Sequence, residues 1–263
     1  MVWLVIVGLL VLLWAVSLGK IHLGSSLNSK TTFLNDNASA GLPSRKNVLL
    51  VIAHPDDETM FFSPTINYLT SRGHNVYILC LSTGNADGIG GIRKEELYLA
   101  SVVLKVPSQR VKVVDHPDLQ DGFHKVWNCN LLEMIIKEEV DSKAIDVIIT
   151  FDNYGVSGHC NHCDVHRGVR SLLQNSSQQV EAWELVSNNI LRKYCGPVDI
   201  WLSILLARKC LNRELQSLLN ENPFQSYAAM AQHRSQWIWY AFRKLFVSFS
   251  SYTYVNTLKM MNR

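Results

Sequence analysis

A chain of 263 residues has room for one α/β domain with an appendage, or for two small domains at most. With 48% apolar and 18% charged residues it holds ample material for a core, which excludes global disorder. A net charge of +3, with no Arg/Lys block or basic aromatic stripe in the central region, speaks against a dedicated nucleic-acid binder.

Met1 to Gly19 carries no charged side chain and is almost wholly apolar, with Trp3 and Trp14 inside it. About 17–25 such residues span a bilayer as a helix, so residues 1–19 read as a transmembrane anchor. The rival, a cleaved signal peptide, wants a basic region before the apolar run, and none precedes it here. Lys20, Lys30, Arg45 and Lys46 all follow the segment, so the positive-inside rule places the bulk of the chain in the cytoplasm. Gly24 to Ser44 is rich in Ser, Asn, Thr and Gly without an apolar period, and residues 20–46 are expected to form a flexible linker. Cys80, Cys129, Cys160, Cys163, Cys195 and Cys210 are too scattered for a disulfide framework, which fits a reducing compartment. In that placement the sequons at Asn37 and Asn175 stay unmodified.

From Asn47 onward, strand and helix alternate. Val48 to Ala53 is a buried strand, Glu58 to Ser71 a helix ending at Gly73, and Val76 to Leu81 a second strand. Ile92 to Leu104 has helical spacing, Val111 to Val114 is a short strand, and Phe123 to Val140 holds another helix. Ile145 to Phe151 is a strand ending in Asp152, Val165 to Leu173 is helical, and Glu184 to Leu191 is a candidate strand. The alternation predicts an α/β fold over residues 47–263, a Rossmann-like three-layer arrangement with a mostly parallel sheet and helices on both faces. The tail is aromatic and basic, with Trp237, Trp239, Tyr240, Phe242, Phe246, Phe249, Tyr252 and Tyr254 among Arg243, Lys244 and Lys259. Such a segment either caps the core or lies in a membrane interface.

Two clusters stand at strand ends: His54/Asp56/Asp57/Glu58, and the stretch from Asp152 to His166. Parallel strands deliver both to one edge of the sheet, where open α/β sheets bind ligands. A catalytic metal needs about three protein ligands and an open position. One His and one Asp from the first cluster with one His from the second satisfy that, leaving the other aspartate for the water. His162 and His166 are four apart on one helical face, so His166 is the alternative ligand. Cys160-Asn161-His162-Cys163 is also a C-x-x-C, open to a redox or structural-zinc reading, but no second such pair completes a four-cysteine site. His116-Pro117-Asp118 echoes the first motif without its second carboxylate and reads as coincidence.

An apolar strand, His54-Pro55-Asp56-Asp57-Glu58, and then Gly158-His159-Cys160-Asn161-His162 about a hundred residues on resemble the LmbE-like zinc de-N-acetylases. Gly155-Val156-Ser157-Gly158-His159 and His233-Arg234-Ser235-Gln236 look closest to the eukaryotic branch, which deacetylates N-acetylglucosaminyl-phosphatidylinositol in glycosylphosphatidylinositol-anchor synthesis. The resemblance covers roughly Asn47 to Leu245. It implies Zn2+ held by His54, Asp57 and His162, a general base at Asp56, and a histidine facing the substrate carbonyl at His159. It further implies a glycolipid substrate and a single-pass protein of the endoplasmic reticulum membrane with its catalytic domain in the cytoplasm. Arg93 matches a substrate-binding arginine, although Gly91 stands where relatives usually carry an acid two residues before it.

In the implied chemistry, zinc lowers the pKa of its water toward about 7, and Asp56 takes the proton as that water attacks an acetamide. Zinc and a protonated His159 then stabilise the oxyanion. Asp115, among the aspartates after the third strand, is the candidate for sugar hydroxyls, and Arg234 for the substrate phosphate. Two His and one carboxylate would also accept Fe2+. The alternatives are a deacetylase of a soluble N-acetylglucosaminyl conjugate and a non-catalytic, membrane-tethered partner.

Overall fold

The computed structural model describes residues 2–23, 33–34, 45–122, 124–176, 179–209, 214–239 and 248–262. Helix α1 (Val2–Leu23) comes first, and its Trp3–Ile21 stretch is long and apolar enough to cross a membrane. Next come β1 (Asn47–Ile52), α2 (Asp57–Met60), α3 (Ser63–Ser71), β2 (Asn75–Cys80), α4 (Gly90–Val103) and β3 (Val111–Val113). The chain then returns through α5 (Cys129–Lys143), β4 (Val147–Phe151), α6 (Cys160–Asn175) and β5 (Glu181–Leu185). The last part holds α7 (Ile190–Lys193), α8 (Asp199–Lys209), β6 (Leu215–Leu219), α9 (Pro223–Met230) and β7 (Val255–Met260).

The sheet has seven strands in the order β3-β2-β1-β4-β5-β7-β6. The first five are parallel, while β7 runs antiparallel to both β5 and β6. Alternation along β1 explains the three layers: Val48, Leu50 and Ile52 face one core with Phe62, Ile66 and Leu97, while Leu49, Val51 and Ala53 face the other with Leu132, Ile136 and Val169. The predicted α/β architecture is the observed one. Because β2 and β4 flank β1 on opposite sides, the chain changes direction between β1 and β4, the switch point that opens a crevice at the carboxyl edge.

Several boundaries differ from the sequence reading, each for a local reason. The helix expected over Glu58–Ser71 breaks at Phe61 and Phe62, and Pro64 sits in the first turn of the second piece, where its missing N–H costs nothing. The helix expected from Phe123 starts at Cys129, because Asn128 caps it by accepting from the N–H groups of Asn130 and Leu131. The helix expected from Val165 already begins at Cys160. The candidate strand Glu184–Leu191 is instead β5, ending at Leu185, followed by α7.

The expected linker is seated in the core at one point. Phe33 is only 3% exposed and packs edge-on against Trp183 at 5.0 Å and against Tyr68 at 5.9 Å. The Tyr68 hydroxyl donates to its carbonyl at 3.3 Å. Apart from Phe33 and Leu34, residues 24–44 lie outside the described residues. In the tail, Tyr252 and Tyr254 are buried and cap the core, whereas Phe249 is exposed. The side chains of Trp237 and Trp239, and all of Tyr240, Phe242, Arg243, Lys244 and Phe246, lie outside the described residues. Truncating a buried phenylalanine costs about 3–5 kcal/mol. Phe33→Ala is therefore expected to lower the denaturation midpoint of the full chain in detergent, whereas a residue in a mere tether would leave it unchanged.

Candidate metal and catalytic centre

The first wall of the site is the turn that follows β1. Asp56 adopts φ 107° and ψ −21°, a left-handed conformation outside the preference of a non-glycine residue. Such strain costs about 1–3 kcal/mol and persists only where the surroundings over-determine it. They do so here. The Asp56 N–H donates to Glu58 Oε2 at 3.0 Å, and its carbonyl accepts from the N–H groups of Thr59 and Met60 at 3.1 and 2.9 Å. Arg93 Nη2 donates to the Pro55 carbonyl at 2.7 Å and lies 3.4 Å from Asp56 Oδ2. Glu58 in turn is gripped from the far end of the chain, since His233 Nε2 sits 2.7 Å from its Oε1 with both side chains fully buried.

The second wall follows β4. Asp152 Oδ1 accepts from the N–H groups of Tyr154 and Gly155 at 3.1 and 3.0 Å, and both its oxygens bind Ser187. Asp152 thus shapes a turn. Gly155 has φ +57°, and a Cβ there would stand 2.7 Å from the His162 Cβ, so only glycine lets this turn lie against α6. Val156 follows at φ 65°, a genuine outlier for a β-branched residue. His159 then caps α6, its Nδ1 accepting from the Asn161 N–H at 3.3 Å.

The two walls bring three histidines together. Ligand atoms of His54, His159 and His162 lie within 4.8 Å of one another. His54 Nε2 faces Asp121 Oδ1 at 3.0 Å and Asn161 Oδ1 at 3.1 Å. Both are acceptors, because the Asn161 amide nitrogen donates to the Lys125 carbonyl at 2.8 Å. His54 Nε2 therefore carries the hydrogen, and the lone pair of the neutral ring sits on Nδ1, on the side of Asp57. His162 is oriented the other way: Nδ1 donates to the Gly155 carbonyl at 3.0 Å and Nε2 points at Asp57 Oδ1 at 3.2 Å. Asp57 Oδ2 accepts from the N–H groups of Ala53 and His54 at 3.1 and 2.9 Å.

A neutral His162 would thus set a nitrogen lone pair against a carboxylate oxygen, which is stable only with a proton or a cation between them. Two imidazoles and a carboxylate, each oriented through its second polar atom, match the donor set of a catalytic Zn2+ and would also take Fe2+. The residues present fit the ion.

Burial works to raise the Asp57 carboxyl, but the charge and hydrogen bond of His162, with His54, outweigh it and hold the group well below the usual carboxylate range. For His54, burial disfavours the charged ring, yet the Asp121 hydrogen bond and the charges of Asp57 and Asp121 raise its pKa overall. Burial and the charges of His54 and His162 push His159 down to about 4. That disfavours the imidazolium expected at His159, and with Nδ1 accepting, the hydrogen of the neutral ring is on Nε2.

The other expected residues are placed as follows. Asp115 is exposed, and Asp121 is the aspartate of its loop that reaches the cluster. Arg93, the expected substrate-binding arginine, directs its Nη atoms to Gly84 O, Pro55 O, Asp56 and Asp121, and so braces the two aspartates. Arg234 is exposed, and it is the neighbouring His233 that reaches inward. His166, the alternative ligand, is turned away to Phe151 O at 3.1 Å and Glu184 at 3.4 Å. Cys160 and Cys163 are not joined in a disulfide, and the Cys160 thiol donates to the Gly122 carbonyl at 3.4 Å. The motif residue Asn161 faces His54 Nε2 through its Oδ1, and Glu58 holds the Asp56 backbone, two roles the sequence pattern does not reveal.

Two outcomes follow. Replacing His233 by alanine leaves Glu58 buried without its partner, at a cost of about 3–5 kcal/mol in denaturation experiments. Burial opposes charge on His233, but Glu58 raises its pKa above 6.5 overall. The ionic part of that cost is therefore full below pH 6.5 and fades as pH climbs through the raised value. For His159 the sign is opposite: the folded ring resists protonation, so its share of stability is lost as pH falls from 6.5 toward 4. In metal-stripped protein its ring NMR signals should stay those of a neutral imidazole until about pH 4.

Comparison with known proteins places this geometry among relatives. A family model described as GlcNAc-PI de-N-acetylase matches residues 49–173. A probable N-acetylglucosaminyl-phosphatidylinositol de-N-acetylase of Dictyostelium discoideum is 34% identical over 254 residues, covering 86% of this chain and 97% of that protein. The N-acetylglucosaminyl-phosphatidylinositol de-N-acetylase of Bos taurus is 38% identical over 225 residues, covering 84% of this chain and 87% of that one. Among solved structures, N,N'-diacetylchitobiose deacetylase from Pyrococcus horikoshii shares the fold, with a TM-score of 0.58 at 13% identity over 93% of this chain and 91% of that one.

Proposed function

The chain belongs to the N-acetylglucosaminyl-phosphatidylinositol de-N-acetylase family, and on that premise we propose that it hydrolyses acetate from N-acetylglucosaminyl-phosphatidylinositol. The product is glucosaminyl-phosphatidylinositol, and the reaction is the second step of glycosylphosphatidylinositol-anchor synthesis. The observation that carries the proposal is the lone-pair confrontation of Asp57 and His162 beside His54, directly below a strained aspartate.

In this reading His54, Asp57 and His162 hold Zn2+, with Fe2+ the other ion the set accepts. When bound, such an ion acidifies a water toward pKa about 7 and polarises a carbonyl. Asp56 takes the proton of the attacking water at its carboxylate. Glu58 fixes its backbone and Arg93 lies beside its Oδ2, so the carboxylate is aimed before substrate arrives. His159 donates from Nε2 to the oxygen on which negative charge develops, and a neutral ring suffices for that. Asp56 then returns the proton to the leaving amine. Trp127 packs edge-on beside His54, with 6.0 Å between the ring centroids.

The N-terminal helix supports a single-pass membrane protein, and the pathway of the relatives supports the endoplasmic reticulum, with the domain of residues 47–263 in the cytoplasm and the glycolipid as its partner. Acetate release from the glycolipid by purified protein tests the reading. Chelation should abolish it and added Zn2+ restore it. Asp56→Asn should lower kcat by about 10²–10⁴ with KM little changed, the range for loss of a general base. Full activity without metal, or in Asp56→Asn, would sink the mechanism.

A further inference from the structure

Helix α1 does not hang free of the domain. Its last turns touch the domain: buried Ile21 packs with Ile200, Leu219, Tyr254 and Val255, and Trp201 Nε1 donates to Ser17 Oγ at 2.9 Å. Trp14 meets Phe249 at 5.1 Å and lies so close to Gly196 that a Cβ there would fall 2.4 Å from its ring. The place of contact is set by topology. Leu219 ends β6 and pairs with Val255 at the start of β7, beyond the Leu185–Leu258 pair that ends β5. That is the carboxyl edge of the parallel strands, the edge that carries the metal and catalytic centre.

Among the described residues, the same edge exposes several large apolar side chains. Helix α7 starts five residues after β5 ends, and its loop is tied to the turn before His159 by the Val156 N–H donating to Ser187 Oγ at 2.8 Å. Ile190 and Leu191 on α7 are 73% and 84% exposed, with Tyr194 exposed just beyond them. On α8, Asp199 and Ser203 turn inward to Arg192 at 2.6 and 2.8 Å, while Leu202 and Leu205 face out. In water such side chains are a liability, each worth about 1.5–3 kcal/mol when fully removed from it. Eleven residues make α8 too short to cross about 30 Å of hydrocarbon, so it suits the interface instead.

We propose that α7 and α8 lie in the bilayer interface beside α1, which docks the catalytic edge onto the lipid surface. The inference rests on the reading of α1 as a membrane span. It goes beyond that reading because the domain is held against the membrane in one orientation, with the site opening where a lipid headgroup emerges. The surface is continuous with the seat of the spanning helix, and this identifies the occupant as lipid.

Site-specific incorporation of p-benzoylphenylalanine tests it in the full chain reconstituted in phosphatidylcholine–phosphatidylinositol vesicles. On illumination, probes at Leu191 or Leu205 should yield lipid adducts at about ten times the level of a probe at Glu138, on the half of α5 nearer the opposite edge. Adducts at the Glu138 level, or adducts with protein alone, would overturn the docking. The paired substitution Leu202→Glu with Leu205→Glu should lower deacetylation of the vesicle-borne glycolipid about tenfold and leave that of water-soluble N-acetylglucosaminyl-inositol unchanged. Equal loss on both substrates also overturns it. Alkaline carbonate distinguishes the two levels: release of the chain from vesicles defeats the span and the docking together, whereas a retained chain without lipid adducts defeats the docking alone.

Discussion

Asp57 Oδ1 and His162 Nε2 stand 3.2 Å apart, and each is held there by its other polar atom. The carboxylate is tied through Oδ2 to two backbone N–H groups at the end of β1, and the imidazole through Nδ1 to a carbonyl in the turn after β4. The pairing is expensive in a buried, low-dielectric place unless positive charge is supplied, since like partial charges interact far more strongly there than in water. Most of the surrounding architecture serves to bring these two atoms together. β1 and β4 are neighbours in register, with Val48 opposite Val147, so their carboxyl ends open side by side. Gly155 lets the turn meet α6 without a collision, and Asp152 ties that turn down.

The strain at Asp56 is sustained from much farther away. Its N–H is taken by Glu58, Glu58 is held by His233, and Arg93 reaches across from α4. Asn256 on β7 does similar service for the next segment: its side chain accepts from Thr65 Oγ1 at 2.7 Å and donates to the Phe61 carbonyl at 2.8 Å. The two sequence motifs therefore hold the chemistry, while the antiparallel extension of the sheet holds the motifs. This accounts for a carboxylate that can sit in a sparsely populated conformation without relaxing, aimed at one spot.

How much of this was legible in the sequence depended on whether a feature is periodic or relational. The unbroken apolar run from Val48 to Ala53 and the βα alternation fix the layers, because such strands are buried on both faces. The clusters after β1 and β4 were legible for the same reason: strand ends in a parallel sheet share an edge. Asp115 and Asp121 could not be told apart, since both follow β3 in a loop whose course is set by tertiary bonds. The Trp127 indole donates to Gln120 O at 2.9 Å and the Trp127 N–H to Asp164 at 2.9 Å, which swings Asp121 inward. His162 and His166 share a helical face, and only the position of the Phe151 carbonyl decides which turns to the cluster. The break at Phe61 was hidden because both phenylalanines are apolar like the helix around them; they are needed as core under His162, where Phe61 lies 5.8 Å from its ring.

The protonation state of His159 shows why a residue's role does not carry its charge along with it. Burial comes first, then the charges of His54 and His162, and together they bring the ring's pKa down to about 4. Its position adds a further reason, since His159 is the N-cap of α6 and the N-terminus of a helix carries partial positive charge. A cationic ring would be opposed there, whereas an oxyanion would be favoured. The Asn161 N–H, by bonding Nδ1, leaves the hydrogen of the neutral ring on Nε2. In the proposed reaction a cation held by His54, Asp57 and His162 would supply the positive charge that a neutral His159 does not. The proposed division of labour would then be between a metal that carries the charge and a neutral histidine that gives direction.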